Sequence, residues 1–231
     1  HDRAAAGRPG VPAGQAVRAL RRLAGVGEDG EVPAKAPFSS AAGRATSAKG
    51  ERGRHGRNIL SGNDFVLPVA SGPRRVIVAL DGQLLTDEIS VEAAEADVSG
   101  DLLYIAVVNR YADTPPSVAL IQGFGLQDGA LASSVAHDSH NVVAVGANLK
   151  DLCRAVNLVI TAGGGLSIVA GSGGQVLPLP SAGLMSDGEC GQVAASFTSL
   201  TRAARQLGCG LRSPFMTLSF MALLVIPSLK L

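Results

Sequence analysis

Two of the four histidines of this 231-residue chain stand in one pentapeptide, His137-Asp138-Ser139-His140-Asn141, and residues 58–231 contain no other. Two imidazoles, a carboxylate, a hydroxyl and an amide in five consecutive positions can serve a metal ion, a proton relay or a polar ligand. Asp, Ser and Asn alone would be accounted for by turn formation, since their side chains bond local backbone groups. The two histidines are not needed for a turn. His-x-x-His on a loop names no third ligand, so spacing leaves the metal, catalytic and plain-turn readings open. His137, Asp138 and His140 are the candidate catalytic residues, with Ser139 and Asn141 in support, and His137 and His140 are the candidate metal ligands.

Other chemistry-bearing residues have simpler explanations. Gly163-Gly164-Gly165 follows a helical pattern and leads into a strand, the reverse of a phosphate cradle, so it reads as a helix stop. Ser186 and Glu189 have capping-box spacing at the start of a second helix, which accounts for Ser186-Asp187. Cys153, Cys190 and Cys209 show no Cys-x-x-Cys spacing and an odd count, which suggests neither a zinc ribbon nor a disulfide framework and fits a reducing cytoplasm.

The elements that hold the pentapeptide are legible around it. Short Val/Ile/Leu/Ala-rich runs at Val76–Leu80, Leu102–Val108, Val118–Ile121, Ala130–Ala136, Val142–Val145, Leu166–Ala170 and Val176–Leu179, punctuated by Asp-Gly, Pro-Pro and Gly-Gly, predict strands. The pentapeptide then lies in a tight loop between two of them, at a sheet edge. Leu149, Leu152, Cys153, Val156, Val159 and Ile160 predict a helix with Asn148 as N-cap and Gly163 as stop. Val193, Phe197, Leu200, Ala204 and Leu207 predict a second, ended by Gly208. The apolar run Phe215 to Ile226, 12 residues long, is too short for the roughly 20 of a membrane span and reads as a buried strand. Connections before residue 146 are too short for crossover helices. The expected fold class is therefore a layered α/β domain with a mainly antiparallel or mixed sheet packed by about two helices.

Composition sets the outer limits. The chain is 46% hydrophobic and 17% charged, enough for a core, but its length falls short of the roughly 250 residues of a (β/α)₈ barrel. Residues 1–57 carry 11 Lys/Arg against 5 Asp/Glu, a net +6, with almost no branched or aromatic side chains beyond Phe38. They are expected to form a disordered leader, with the folded domain at 58–231. Overall charge is +1 and the basic stretch lacks interleaved aromatics, so nucleic acid is not an expected partner, and no apolar segment suggests a membrane.

Several longer motifs occur in one order: Gly123 through Asn141, Ala155-Val156-Asn157, Leu177-Pro178-Leu179-Pro180, Ala182 through Asp187, and Pro214 through Phe220. From about Asp64 to Leu231 the sequence closely resembles the C-terminal domain of the bacterial adenine deaminases of the amidohydrolase superfamily. The resemblance implies hydrolytic deamination of adenine to hypoxanthine and ammonia in purine salvage. It also implies a divalent metal, manganese or iron, held by a barrel domain as the partner of this one. The barrel's His-x-His signature is absent, and residues 1–57 do not read as barrel strands. The expectation is a fragment that is inactive alone and holds no metal tightly, whose His137–Asn141 loop lines or supports the barrel's active site. The alternative is a structural and oligomerisation module without a catalytic role. Limited proteolysis is expected to remove residues 1 to about 57 and leave a resistant core beginning near Leu60; protection at the leader's arginines would contradict this.

Overall fold

The structure, a computed structural model, describes residues 57–67, 69, 72–92 and 100–231. The leader reading therefore lies outside the described residues, except that Arg57, assigned to it by composition, is buried in the domain at 4% exposure. Among the described residues eight strands form one sheet: β1 (Arg74–Ala79), β2 (Thr86–Val91), β3 (Leu103–Val108), β4 (Ser117–Gln122), β5 (Ala130–Ser133), β6 (Val142–Gly146), β7 (Gly165–Ala170) and β8 (Gly173–Pro178). Their order is β2-β1-β4-β3-β6-β5-β7-β8. Only β1 and β4 pair in parallel, so the sheet is mixed and mainly antiparallel, as expected. Among the described residues three α-helices accompany it: α1 (Leu149–Ala162), α2 (Cys190–Gln206) and α3 (Pro214–Ser219).

Strand alternation sorts the two faces. Ala106, Ala144, Ala132 and Ser167 align across β3, β6, β5 and β7, and these side chains are so small that α1 can lie close against them. The Ser167 hydroxyl donates to the Ala155 carbonyl of that helix at 2.8 Å. One residue along, Ile105, Val145, Leu131 and Ile168 align in the same way and point to the opposite face. There they pack with Leu200 and Ala204 of α2 and Phe215 and Leu218 of α3. The result is three layers, helix, sheet and helices, from a period of two.

Helix α1 follows its local signals. The Asn148 side chain accepts from the Asp151 amide at 2.8 Å, and Gly163 closes the helix in the left-handed region at φ 77°. Helix α2 buries Leu200 and Ala204 as its stripe predicts, but the capping box is not formed. The helix starts at Cys190, after Glu189, and the Ser186 hydroxyl instead accepts from the Gly188 amide at 3.1 Å.

The expected strand in Phe215–Ile226 is not one. Pro214 opens α3 at its first turn, where its missing amide costs nothing, and Phe215 and Leu218 repeat at helical spacing while Met216 stays 58% exposed. Strand β2, absent from the sequence reading, is an edge strand whose outward Asp87 and Glu88 hid it, with Glu88 bound in bidentate fashion by Arg75. Strand β5 ends at Ser133 rather than Ala136, because the Ser133 hydroxyl turns back to accept from the Val135 amide at 2.9 Å.

Ala144 lies at 0% exposure under α1. Ala144→Leu is expected to overfill this layer and lower unfolding stability by about 1–3 kcal/mol in urea titration, and an unchanged midpoint would show that α1 does not rest on the alanine row.

Candidate functional site

The loop that carries the pentapeptide joins β5 to β6. These strands lie inside the sheet, each paired on both sides, so the loop stands at the end of the central strands and not, as expected, at a lateral edge. Backbone bonds hold it. The His137 amide donates to the Ser219 carbonyl of α3 at 2.9 Å, and the His140 amide donates to the Ala136 carbonyl at 2.7 Å. The Tyr111 hydroxyl donates to the Ser139 carbonyl at 3.3 Å. His140 takes the left-handed conformation at φ 50°, the region in which histidine is among the more tolerant side chains.

The loop brings the two imidazoles together, with ring centroids 6.1 Å apart in an edge-to-face arrangement. His137 stacks on Phe220 at 4.7 Å. Phe220 also borders a groove of about 330 Å³ that runs between the β1–β2 turn and α3, lined by Asp81, Leu84, Arg212 and Met216 among others. Asp138 and Ser139 are exposed, while His137, His140 and Asn141 are half-buried.

The electrostatics act on His140. Burial pushes its pKa below the ordinary value of 6.5, and the neighbouring His137 and Arg110 push it further down, against an opposing pull from Asp138. At neutral pH it is an uncharged imidazole. Its Nδ1 and the Asn141 Oδ1 are buried without hydrogen-bond partners, so the loop carries two polar atoms with unused capacity.

Sequence reasoning missed the residues behind the loop. Arg110, 6% exposed, donates from Nη2 to the Ala182 carbonyl at 2.6 Å and to the Tyr111 hydroxyl at 3.1 Å. Ser134 joins three segments: its amide donates to the Gly165 carbonyl at 3.0 Å, its hydroxyl donates to the Gly183 carbonyl at 2.5 Å, and the hydroxyl accepts from the Gly165 amide at 2.8 Å. Gly183, at φ 72°, leaves no room for a Cβ, which would fall 1.7 Å from the Arg110 Nη1.

The donor set can be tested against a metal. Among the described residues no group of three or more His, Cys, Asp or Glu is placed to hold one. The two imidazoles and the exposed Asp138 do not by themselves make a metal centre, and an ion at His137 and His140 would need ligands from elsewhere.

Fold and site together define an α/β domain that presents a fixed polar loop at the end of its central strands. The family model of the adenine deaminase C-terminal domain matches residues 83–231, and the chain belongs to that family. It is 55% identical over 176 residues to an adenine deaminase of Salinibacter ruber, covering 73% of this chain and 32% of the relative. Adenine deaminases of Methanothermobacter thermautotrophicus and Syntrophobacter fumaroxidans are 50% and 47% identical over 163 and 182 residues, covering 68% and 74% of this chain and 30% and 31% of theirs. The chain spans about a third of the length of the curated relatives it matches.

The sign of the His140 shift gives a prediction. The unfolded chain takes up this proton at about pH 6.5 and the folded chain only at lower pH, so the unfolded state binds more protons in between. The stability present above about pH 6.5 is then lost as pH falls through the folded value. Melting curves over this window are expected to fall more steeply for the natural chain than for His140→Gln; parallel curves would show that His140 is not desolvated.

Proposed function

We propose that this chain serves as the C-terminal domain of an enzyme that deaminates adenine, replacing the exocyclic amino group by the oxygen of water to give hypoxanthine and ammonia. The reading rests on the family and on the names of the full-length relatives. Manganese or iron, held by the barrel domain, would activate the water, and the described residues of this chain do not supply its ligand set. Purine salvage in the cytoplasm is the setting that fits such a reaction, and the three free cysteines support a reducing compartment.

The part played by this chain's residues follows from the pairing of His137 and His140 on a loop whose backbone is bonded to α3 and to Tyr111. This observation carries the proposal. An uncharged His140 accepts or donates a hydrogen bond according to its tautomer, and its half-buried ring is one point at which a polar ligand or a side chain of the barrel engages the loop. Asp138 projects from the same loop into solvent and supplies a carboxylate that accepts hydrogen bonds or protons. His137, held flat on Phe220, has little rotational freedom left to lose when a partner binds.

Two measurements test this. In the intact enzyme, His137→Ala, His140→Ala and Asp138→Asn are each expected to lower kcat by about 10²-fold or more, the range of lost general acid–base groups, with little change in Tm. Unchanged turnover of the folded fraction with lower Tm would make the loop structural. The purified chain alone, supplied with manganese, is expected to show no conversion of adenine to hypoxanthine above background; metal-dependent turnover would place a complete active site within it.

A further inference from the structure

Tyr111 is 66% exposed, so its ring buries little apolar surface, and packing does not account for its place beside the histidine loop. Its hydroxyl, by contrast, is bonded twice. It accepts from Arg110 Nη2 at 3.1 Å and donates to the Ser139 carbonyl at 3.3 Å. The Arg110 guanidinium also lies over the phenol ring, 5.0 Å from its centroid, and is itself anchored on the Ala182 carbonyl at 2.6 Å. The backbone of the tyrosine is held as well. The Asn109 side-chain oxygen accepts from the amides of Tyr111 and Ala112 at 2.8 and 3.1 Å, and Arg57 donates to the carbonyls of Asn109, Ala112 and Thr114. The phenol is fixed before it reaches the loop.

What it reaches is one end of a single peptide group. The Ser139 carbonyl and the His140 amide belong to the same planar unit, and that amide donates to the Ala136 carbonyl at 2.7 Å. A bond on each side sets the orientation of the plane. Among the described residues, the bond from Tyr111 is also the only hydrogen bond that ties Asp138 or Ser139 to another segment of the chain. The orientation matters for the residue that follows. His140 has φ 50°, in a region that costs a non-glycine residue free energy. Turning the Ser139–His140 peptide over would shift that φ by about 180°, into the broad extended region, and would break both bonds.

We propose that Tyr111 is a positioning residue of the histidine loop: its hydroxyl, held by Arg110, locks the Ser139–His140 peptide in the orientation that sets the His140 imidazole beside that of His137. It acts through His140 and touches no reacting atom. The effect on turnover rests on the reading of the loop as part of the deaminating site, whereas the effect on the loop's conformation does not.

Tyr111→Phe removes the hydroxyl and keeps the ring. In the full chain, the His140 amide is expected to exchange with solvent about two- to tenfold faster, the factor that one lost hydrogen bond allows. The strong intraresidue amide–Hα NOE that marks a positive φ is expected to weaken at His140. The amides of Val143 and Val145 in β6 should exchange as before, and Tm should move by no more than about 3 °C. In the intact enzyme, the same variant is expected to lower kcat by about tenfold or more with little change in KM, and to have no further effect once His140 is alanine. Unaltered exchange and NOE at His140 would overturn the inference, and so would an equal loss of kcat with and without the His140 imidazole. An altered loop together with full turnover of His140→Ala would uphold the locking of the peptide by Tyr111 and overturn the catalytic reading of the loop.

Discussion

The hydroxyl of Ser134 is the point on which the site hangs. It bonds the start of the β5–β6 loop to the glycine turn that enters β7 and to the Ala182–Gly183 turn. The same contact brings Gly164 against Gly183 so closely that a Cβ on Gly164 would lie 2.3 Å from the Gly183 Cα. Only then does the Ala182 carbonyl stand where Arg110 can reach it, and Arg110 in turn holds the Tyr111 hydroxyl that supports Ser139. A buried hydroxyl with every bond made costs little, whereas one left unmade costs about 1–3 kcal/mol. The geometry of the histidine loop is thus inherited from a contact that carries no chemistry itself.

Charge is arranged around this framework with a consistent sign. Arg110 sits behind the loop and disfavours a proton on His140, while Asp138 in front of it pulls the other way from an exposed position. His140 is therefore neutral, and the acidic group faces outward. The loop thus offers an uncharged imidazole and an exposed carboxylate side by side.

The sequence was informative where signals are local. Helix α1 shows its stripe and both caps within its own residues, and the structure agrees at Asn148 and Gly163. The strands of the sheet's middle were legible because they are buried on both faces and read as continuous apolar runs. Edge strand β2 was not, since it is exposed along most of its length and carries the adjacent charges Asp87 and Glu88, and α3 was hidden because the apolar content of Phe215–Ile226 outweighed the start signal of Ser213-Pro214. The pairing of His137 with His140 was visible from spacing. Arg110 was not, because its bond to Ala182 spans 72 residues and nothing near it in the chain announces the contact.

The position of β5 and β6 within the sheet has a kinetic meaning. Each is flanked by a paired strand on both sides, β6 by β3 and β5 by β7. Their amides are thereby sealed against solvent exchange until the sheet opens as a whole, and this places them among the last groups in the molecule to become labile. The histidine loop is rooted in those strands. It is therefore a fixed point of the domain, one that does not shift unless the sheet itself opens.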